Sequence, residues 1–384
     1  MRSRVIAAIE LTDGDHNCSS TLFVIGYFSF GRTSRPETGF LRISLVEKAK
    51  IFQRNPVSLG KSCDLLVTIP DALFAPCPMT IIVFGSINID LAAKTPRLPQ
   101  PGETIIGSNF FTAGGGKGAN QAVAAARLGT STHIIGRVGN DKFAEELLTN
   151  LQSYGLSTDN VLIDQNTHSG VAIIAVDETG QNNIIVIPGA NNNVGEADIE
   201  RLKKLLTGAT SLLLQLEIPL EIVQKAAKAA RQAGVRVILD PAPARADLPL
   251  ELYPLIDIIT PNEVEAGQLV GFRVNDTETA IVAAKHLQER GVKNVIVKLG
   301  DRGAVAVTAD ETFFVPAFAV EAIDTVAAGD AFNGGLASAL DASLSLSEAV
   351  RWGAAAGALC TTKVGAQVAM CDRATFDKFL QNLI

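Results

Sequence analysis

Asp324-Thr325-Val326-Ala327-Ala328-Gly329-Asp330-Ala331-Phe332-Asn333-Gly334-Gly335 is a tight turn running straight into a helix. Small side chains at Ala327, Ala328 and Gly329 permit the turn. Ala331, Phe332, Leu336, Ala337 and Leu340 continue the helical pattern. The first N–H groups of a helix lack intrahelical acceptors and lie at the positive end of its dipole, so such an entrance can hold phosphate oxygens. An acidic residue there, Asp330, does not suit simple phosphate binding. It suits a carboxylate acting on a hydroxyl that attacks a phosphoryl group held by the N–H cluster, the arrangement of a small-molecule kinase. In isolation the plainer reading is the stronger one: Asp caps helices well, and Ala-Ala-Gly is a tight strand-to-helix connection. The rest of the chain has to separate the two.

Upstream of this stretch, strand-like and helix-like segments alternate. Thr80-Ile81-Ile82-Val83-Phe84-Gly85 reads as a buried strand, followed by strands at Thr132–Gly136, Leu212–Leu216, Val235–Leu239, Ile256–Thr260, Val295–Lys298 and Gly303–Thr308. Helical patterns occupy Ala119–Leu128, Phe143–Tyr154, Leu220–Ala233, Asn262–Val270 and Thr277–Arg290. This alternation predicts an α/β fold with a parallel sheet covered on both faces. One region breaks the rhythm. Gly170–Val176 and Asn183–Pro188 read as a hairpin which, with the extended residues 89–111, builds either a small lid over the sheet's C-terminal edge or an antiparallel edge to the main sheet.

The 384 residues, 47% hydrophobic and 19% charged, supply a large globular core. A net charge of -7 without any basic run gives no support to nucleic acid or an anionic membrane as partner. No apolar run approaches the ~20 residues of a bilayer span. Five cysteines without CxxC spacing form neither a zinc site nor an evident disulfide framework, which fits a reducing cytoplasm. The text changes character at Met79. Residues 1–78 have poor periodicity and read as a poorly ordered extension or an upstream translation artefact, and 79–384 as one domain. Glu10, Asp13, Asp15, Glu37 and Glu47 make the first segment too acidic for a transit peptide.

Further polar residues gather at the strand ends. Asn88 and Asp90 follow the first strand; Asp accepts from two hydroxyls and Asn donates and accepts, which suits a polyol, although an Asx turn explains the pair equally well. Ala113-Gly114-Gly115-Gly116-Lys117-Gly118-Ala119-Asn120-Gln121 opens a helix with glycines that admit a ligand close to the backbone. It matches neither a Walker A loop nor an intact GxGxxG, and with Asn120 it reads as a sugar-binding loop. Glu217 follows the strand Leu212–Leu216. Asn262 and Glu265 open a helix, either as a capping pair or with Glu265 holding a metal–phosphate assembly through water. Lys298–Gly303 is a tight turn whose backbone, with Lys298 or Arg302, could border a nucleotide. The four histidines lie away from all these motifs, and no Ser-His-Asp or Cys-His constellation is evident.

On the glycine-rich Gly114–Gln121, the stretch Asp324–Gly335 and Asn262-x-x-Glu265 between them, the chain from Met79 onward resembles the ribokinase family of carbohydrate kinases. The resemblance implies a three-layer α/β/α fold with a mostly parallel central sheet and a small β-sheet lid, and ATP-dependent phosphorylation of D-ribose at O5. It implies Asp330 as general base and Ala327, Ala328 and Gly329 as anion hole. It places Asn88, Asp90, Gly116, Lys117, Asn120 and Glu217 on the sugar. Asn262, Lys298, Gly300, Asp301, Arg302, Gly303, Gly329, Asn333 and Ala354 fall along the nucleotide, and Glu265 near Mg²⁺. A monovalent cation, usually K⁺, would lie at Asp324, Val326, Cys360, Lys363, Gly365 and Ala369; Ala369 stands where a Ser is often found, and Ala354 where some members carry His. A homodimer paired through the lid is expected as well. Sibling kinases for deoxyribose, fructose, nucleosides or 2-keto-3-deoxygluconate remain open, with deoxyribose nearest. A catalytically idle sugar-binding regulator is disfavoured by the intact Asp330, and a Rossmann dehydrogenase by the missing fingerprint.

Overall fold

The computed structural model describes residues 2–12, 19–29 and 80–382. The chain divides into two units, Met1–Pro76 and Cys77–Ile384. In the first, β1 (Arg2–Thr12) and β2 (Ser19–Ser29) pair antiparallel from Arg2↔Ser29 to Thr12↔Ser19. The other residues of the expected extension lie outside the described residues.

The second unit begins with β3 (Thr80–Phe84), β4 (Asn88–Lys94), β5 (Asn109–Gly115), α1 (Lys117–Arg127), β6 (Thr132–Gly139) and α2 (Lys142–Ser153). Next come β7 (Val161–Asp164), β8 (Gly170–Val176), β9 (Asn182–Ile187), α3 (Glu196–Leu205), β10 (Ala209–Leu214), α4 (Leu220–Ala233) and β11 (Arg236–Leu239). The chain continues through β12 (Ile258–Ile259), α5 (Glu263–Val270), α6 (Thr277–Glu289), β13 (Asn294–Lys298), β14 (Gly303–Val307) and β15 (Thr312–Pro316). It closes with α7 (Ala328–Asp341), α8 (Leu346–Thr361) and α9 (Arg373–Gln381).

Nine strands form the central sheet in the order β15-β14-β13-β12-β11-β10-β3-β6-β7, parallel except where β14 pairs with β13 and β15. Strand β3 shows why its sequence is a continuous apolar run. Side chains alternate across a strand, and both faces are covered. Ile81 and Val83 enter a core with residues of α1, α2, α7, α8 and α9, whereas Ile82 and Phe84 enter one with residues of α3 to α6. This is the expected three-layer α/β/α architecture.

The departing region resolves as the lid. Strands β5-β4-β8-β9 make a separate four-stranded sheet, with β4 parallel to β8 and the other pairs antiparallel. Its hairpin β8–β9 pairs with nothing in the main sheet. Some boundaries differ from expectation. Helix α1 starts at Lys117 rather than Ala119, because Gly116 at φ 86° turns the chain directly into it. The strand expected at 212–216 runs 209–214, and that at 256–260 shortens to Ile258–Ile259.

Candidate active site

Several side chains of the expected site converge at the C-terminal ends of β3, β10 and β11 and the N-terminal ends of α1 and α7, the place where open parallel sheets bind ligands. Asp330 lies in the first turn of α7 and is 5% exposed. Its Oδ2 accepts from Asn120 Nδ2 at 2.9 Å and its Oδ1 from Gln121 Nε2 at 3.1 Å, both near the start of α1. Gln121 Nε2 also donates to Asp240 Oδ2 at 3.0 Å, just past β11, and Lys298 Nζ at the end of β13 donates to Asp240 Oδ1 at 3.0 Å.

Two helices must approach closely for α1 to reach Asp330. Gly334 of α7 permits it: a Cβ there would stand 2.4 Å from Ala124 Cβ. The entrance to α7 is itself unusual. Ala327 takes a left-handed conformation at φ 59°, which costs a non-glycine residue roughly 1–2 kcal/mol. Ala328 N–H returns to Thr325 O at 3.3 Å, while the N–H groups of Gly329 and Asp330 have no acceptor among the described residues.

Around this centre stand the other polar residues. Glu217, past β10, accepts from Ser86 Oγ at 2.5 Å and from Lys117 N–H at 3.1 Å, so it pins the start of α1. Asn88 opens β4, and its Oδ1 accepts from Asn191 Nδ2 at 2.7 Å. Glycine is required where the lid joins the loop: at Gly115 a Cβ would stand 2.3 Å from the Asp90 carboxylate, and at Gly116 2.7 Å from Asn88 N.

The electrostatics follow from crowding five carboxylates with two ammonium groups. Asp90 is pushed up to about 7, by burial first and then by Glu217 and Asp330. Burial also raises Asp330, reinforced by Asp240 and opposed by Lys117 and by the Asn120 and Gln121 hydrogen bonds. For Lys117, burial disfavours the charge, but Asp330, Asp240, Glu217 and Glu265 outweigh it and the pKa rises. Glu265 is raised by burial against the pull of Lys298.

Asn262 and Glu265 form a full capping box on α5, with Asn262 N–H to Glu265 Oε2 at 2.7 Å and Glu265 N–H to Asn262 Oδ1 at 2.8 Å. The β13–β14 connection carries Gly300, Asp301 and Arg302 on the surface; Gly303 is buried, and Arg302 pairs with Glu263. Asn333 is fully buried, accepting from Thr260 Oγ1 at 2.8 Å, and Ala354 is half-buried on α8. Asp324 draws together two residues of the expected cation site, accepting from Val326 N–H at 3.0 Å and Gly365 N–H at 2.8 Å. The Cys360 thiol, pushed up to about 12 chiefly by burial, points at Val326 O at 3.7 Å. Lys363 is exposed and Ala369 buried. Among the described residues no group of three or more His, Cys, Asp or Glu side chains could hold a metal ion.

The sequence reading missed Gln121, Gln215, Asp240, Asn191, Ser86 and Gln367. Gln367 accepts from Asn150 at 2.6 Å and donates to Asn120 Oδ1 at 3.2 Å. Asp240 had a usable signal, an acidic residue directly after an apolar strand, as at Glu217. For the amides there was none.

A model of the pfkB family of carbohydrate kinases matches residues 79–373. The ribokinase of Haemophilus influenzae is 40% identical over 303 residues, 79% of this chain and 99% of that protein. The deoxyribokinase of Salmonella typhi is 41% identical over 256 residues, 67% of this chain and 84% of that protein. Among solved structures, the ribokinase of Arabidopsis thaliana complexed with ribose and ATP matches with a TM-score of 0.73 at 35% identity, covering 79% of this chain and 99% of that one.

Proposed function

The chain belongs to the pfkB family of carbohydrate kinases, and we propose that it phosphorylates D-ribose at O5 with ATP, giving D-ribose 5-phosphate and ADP. The observation that carries this reading is the Asp330 carboxylate, buried at an N–H-rich helix entrance and fixed through both oxygens by α1. Asp330 is the general base: as O5 bonds to the γ-phosphorus and the bond to the ADP oxygen breaks, Asp330 takes the O5 proton. The transition state spreads charge over the phosphoryl oxygens, so the N–H groups around Ala327, Ala328 and Gly329 supply fixed donors where that charge grows. Asn88, Asp90, Gly116, Lys117, Asn120 and Glu217 hold the sugar hydroxyls beneath the lid. Asn262, the turn 298–303 and the face of α7 and α8 flank the nucleotide.

Mg²⁺ supplies charge neutralisation for ATP phosphates and keeps several waters, so one nearby carboxylate suffices; Glu265, buried beside Lys298 and Asp240, fits that need. Asp324 holds the N–H groups of Val326 and Gly365, and the main-chain carbonyls of this segment suit K⁺, a hard cation, although Cys360 and Ala369 offer no side-chain oxygen. The Phe110, Ile173, Ile184 and Ile185 side chains, 62%, 47%, 51% and 62% exposed on that small sheet, support a homodimer paired through the lid. A charge at Ile185 should then shift sedimentation to the monomer. The buried free thiols Cys360 and Cys371 fit a reducing cytoplasm. Among the described residues no helix is long and apolar enough to cross a membrane.

The likeness to a deoxyribokinase makes deoxyribose the second substrate to weigh. ATP turnover with ribose, deoxyribose, fructose, adenosine and 2-keto-3-deoxygluconate, with and without K⁺, tests the whole assignment. Ribose turnover well above the rest is expected; bound ribose without turnover would return the chain to a sugar-binding regulator. A chain beginning at Met79 should keep that activity, and an inactive or insoluble truncation would show that the first segment belongs to the fold.

A further inference from the structure

Gln121 lies one residue beyond Asn120 near the start of α1, is 1% exposed, and has no part in the contacts assigned above to sugar, nucleotide or cation. Its carboxamide is fully engaged. Nε2 donates to Asp330 Oδ1 at 3.1 Å and to Asp240 Oδ2 at 3.0 Å, while Oε1 accepts from Gln215 Nε2 at 2.7 Å. An amide nitrogen has two protons, one for each carboxylate. Turning the amide over would set its oxygen against both anions, so the orientation is fixed by chemistry. Gly85 at the end of β3 makes room for the arrangement: a Cβ there would stand 1.9 Å from Gln215 Oε1. On its far side Asp240 holds the Lys298 ammonium at 3.0 Å, and a Cβ placed on Gly329 would lie 3.2 Å from that ammonium.

We propose, on the assignment of Asp330 as base, that Gln121 is a positioning residue of the transfer reaction. Its carboxamide fixes the rotation of the Asp330 carboxylate and ties it through Asp240 to the Lys298 ammonium beside the α7 entrance. With Asn120 on Oδ2 and Gln121 on Oδ1, the carboxylate has one rotation. Each oxygen retains a lone pair with which to accept the substrate proton. The groups that face Asp330 are Lys117 and the two amides on α1, Asp240 after β11, Asp90 on β4 and the Cys360 thiol on α8. Of these, Gln121 lowers the proton affinity of Asp330, and its loss raises it.

The test compares Gln121→Met, close in shape but without donors, with Asp330→Asn in the full-length chain, by steady-state kinetics with ribose and ATP across the acid and neutral range. For Gln121→Met, kcat falls roughly 10- to 100-fold, as expected for a lost hydrogen bond to a charged group. The KM for ribose stays within about threefold, and the acid limb of the kcat profile moves to higher pH. An unchanged kcat with an unmoved limb overturns the proposal. So does a raised KM at unchanged kcat, which would put Gln121 on the sugar. Should Gln121→Met not fold, Gln215→Leu, which releases the Gln121 amide, must show the same split, and an unchanged kcat there is equally fatal. Near-normal turnover in Asp330→Asn, whatever Gln121→Met does, overturns the base assignment itself.

Discussion

Gly334→Ala changes the position of the Asp330 carboxylate, the proposed base, with one methyl group. Gly334 lies one turn beyond Asp330 on α7, and Ala124 one turn beyond Asn120 on α1, so the two pairs share one helix–helix contact. A Cβ at Gly334 would stand 2.4 Å from Ala124 Cβ, 2.9 Å from Ala125 N and 3.1 Å from Ala124 C. Carbon atoms in contact stand about 3.5–4.0 Å apart, so the helices must part by roughly 1 Å. Two terms oppose each other in stability. Replacing glycine in a helix interior gains roughly 1 kcal/mol, and overpacking costs about 1–3 kcal/mol. The net is a loss of roughly 0–2 kcal/mol, read as a modest fall in the urea midpoint. Activity suffers more. The same shift stretches the Asn120 and Gln121 bonds to Asp330, now 2.9 and 3.1 Å, out of hydrogen-bonding range. Misplacement by about 1 Å costs on the order of 100-fold in rate. Coupled measurement of ADP release gives kcat, and urea unfolding of the same preparation gives stability. A kcat within about twofold of the parent, with an unmoved midpoint, would refute the claim that this contact sets the base.

Three further outcomes are expected. Asp90 titrates at about 7 in the fold against an ordinary 3.8, so the fold favours its protonated form. Its contribution to stability is complete below the unfolded value and disappears as pH rises through about 7; Asp90→Asn should therefore flatten the fall in urea midpoint over that interval. Gly116→Ala combines a left-handed φ of 86° with a Cβ 2.7 Å from Asn88 N, so it should displace the glycine-rich loop and, on the proposed sugar-binding role of that loop, raise the KM for ribose. Arg137 pairs with the fully buried Asp198 at 2.8 Å, and Arg137→Met should cost about 3–5 kcal/mol in unfolding measurements by stranding that carboxylate.

Much of this protein was legible in its sequence because the signals are local. The run Ile81–Phe84 is apolar at every position since both faces of β3 are covered, and the alternation of such runs with helical patterns specified the layers. Glycines at 114–116 and the small residues before Asp330 mark backbone that must pass close to something, and Glu217 stands out as a charge after an apolar strand. The lid was only half legible. Its β8–β9 hairpin is a local pattern, but the parallel pairing of β4 with β8 joins distant segments and removes the hairpin from the main sheet. Gln121, Gln215 and Asn191 show the same limit in the site. An amide in a helix or loop looks like solvated surface until its neighbours in space are known. The sequence determined which residues could carry charge and where the backbone turns. Only the tertiary structure decided which amide meets which carboxylate, because those bonds join α1, α7 and the ends of β10 and β11, and their lengths are set by how closely the helices pack.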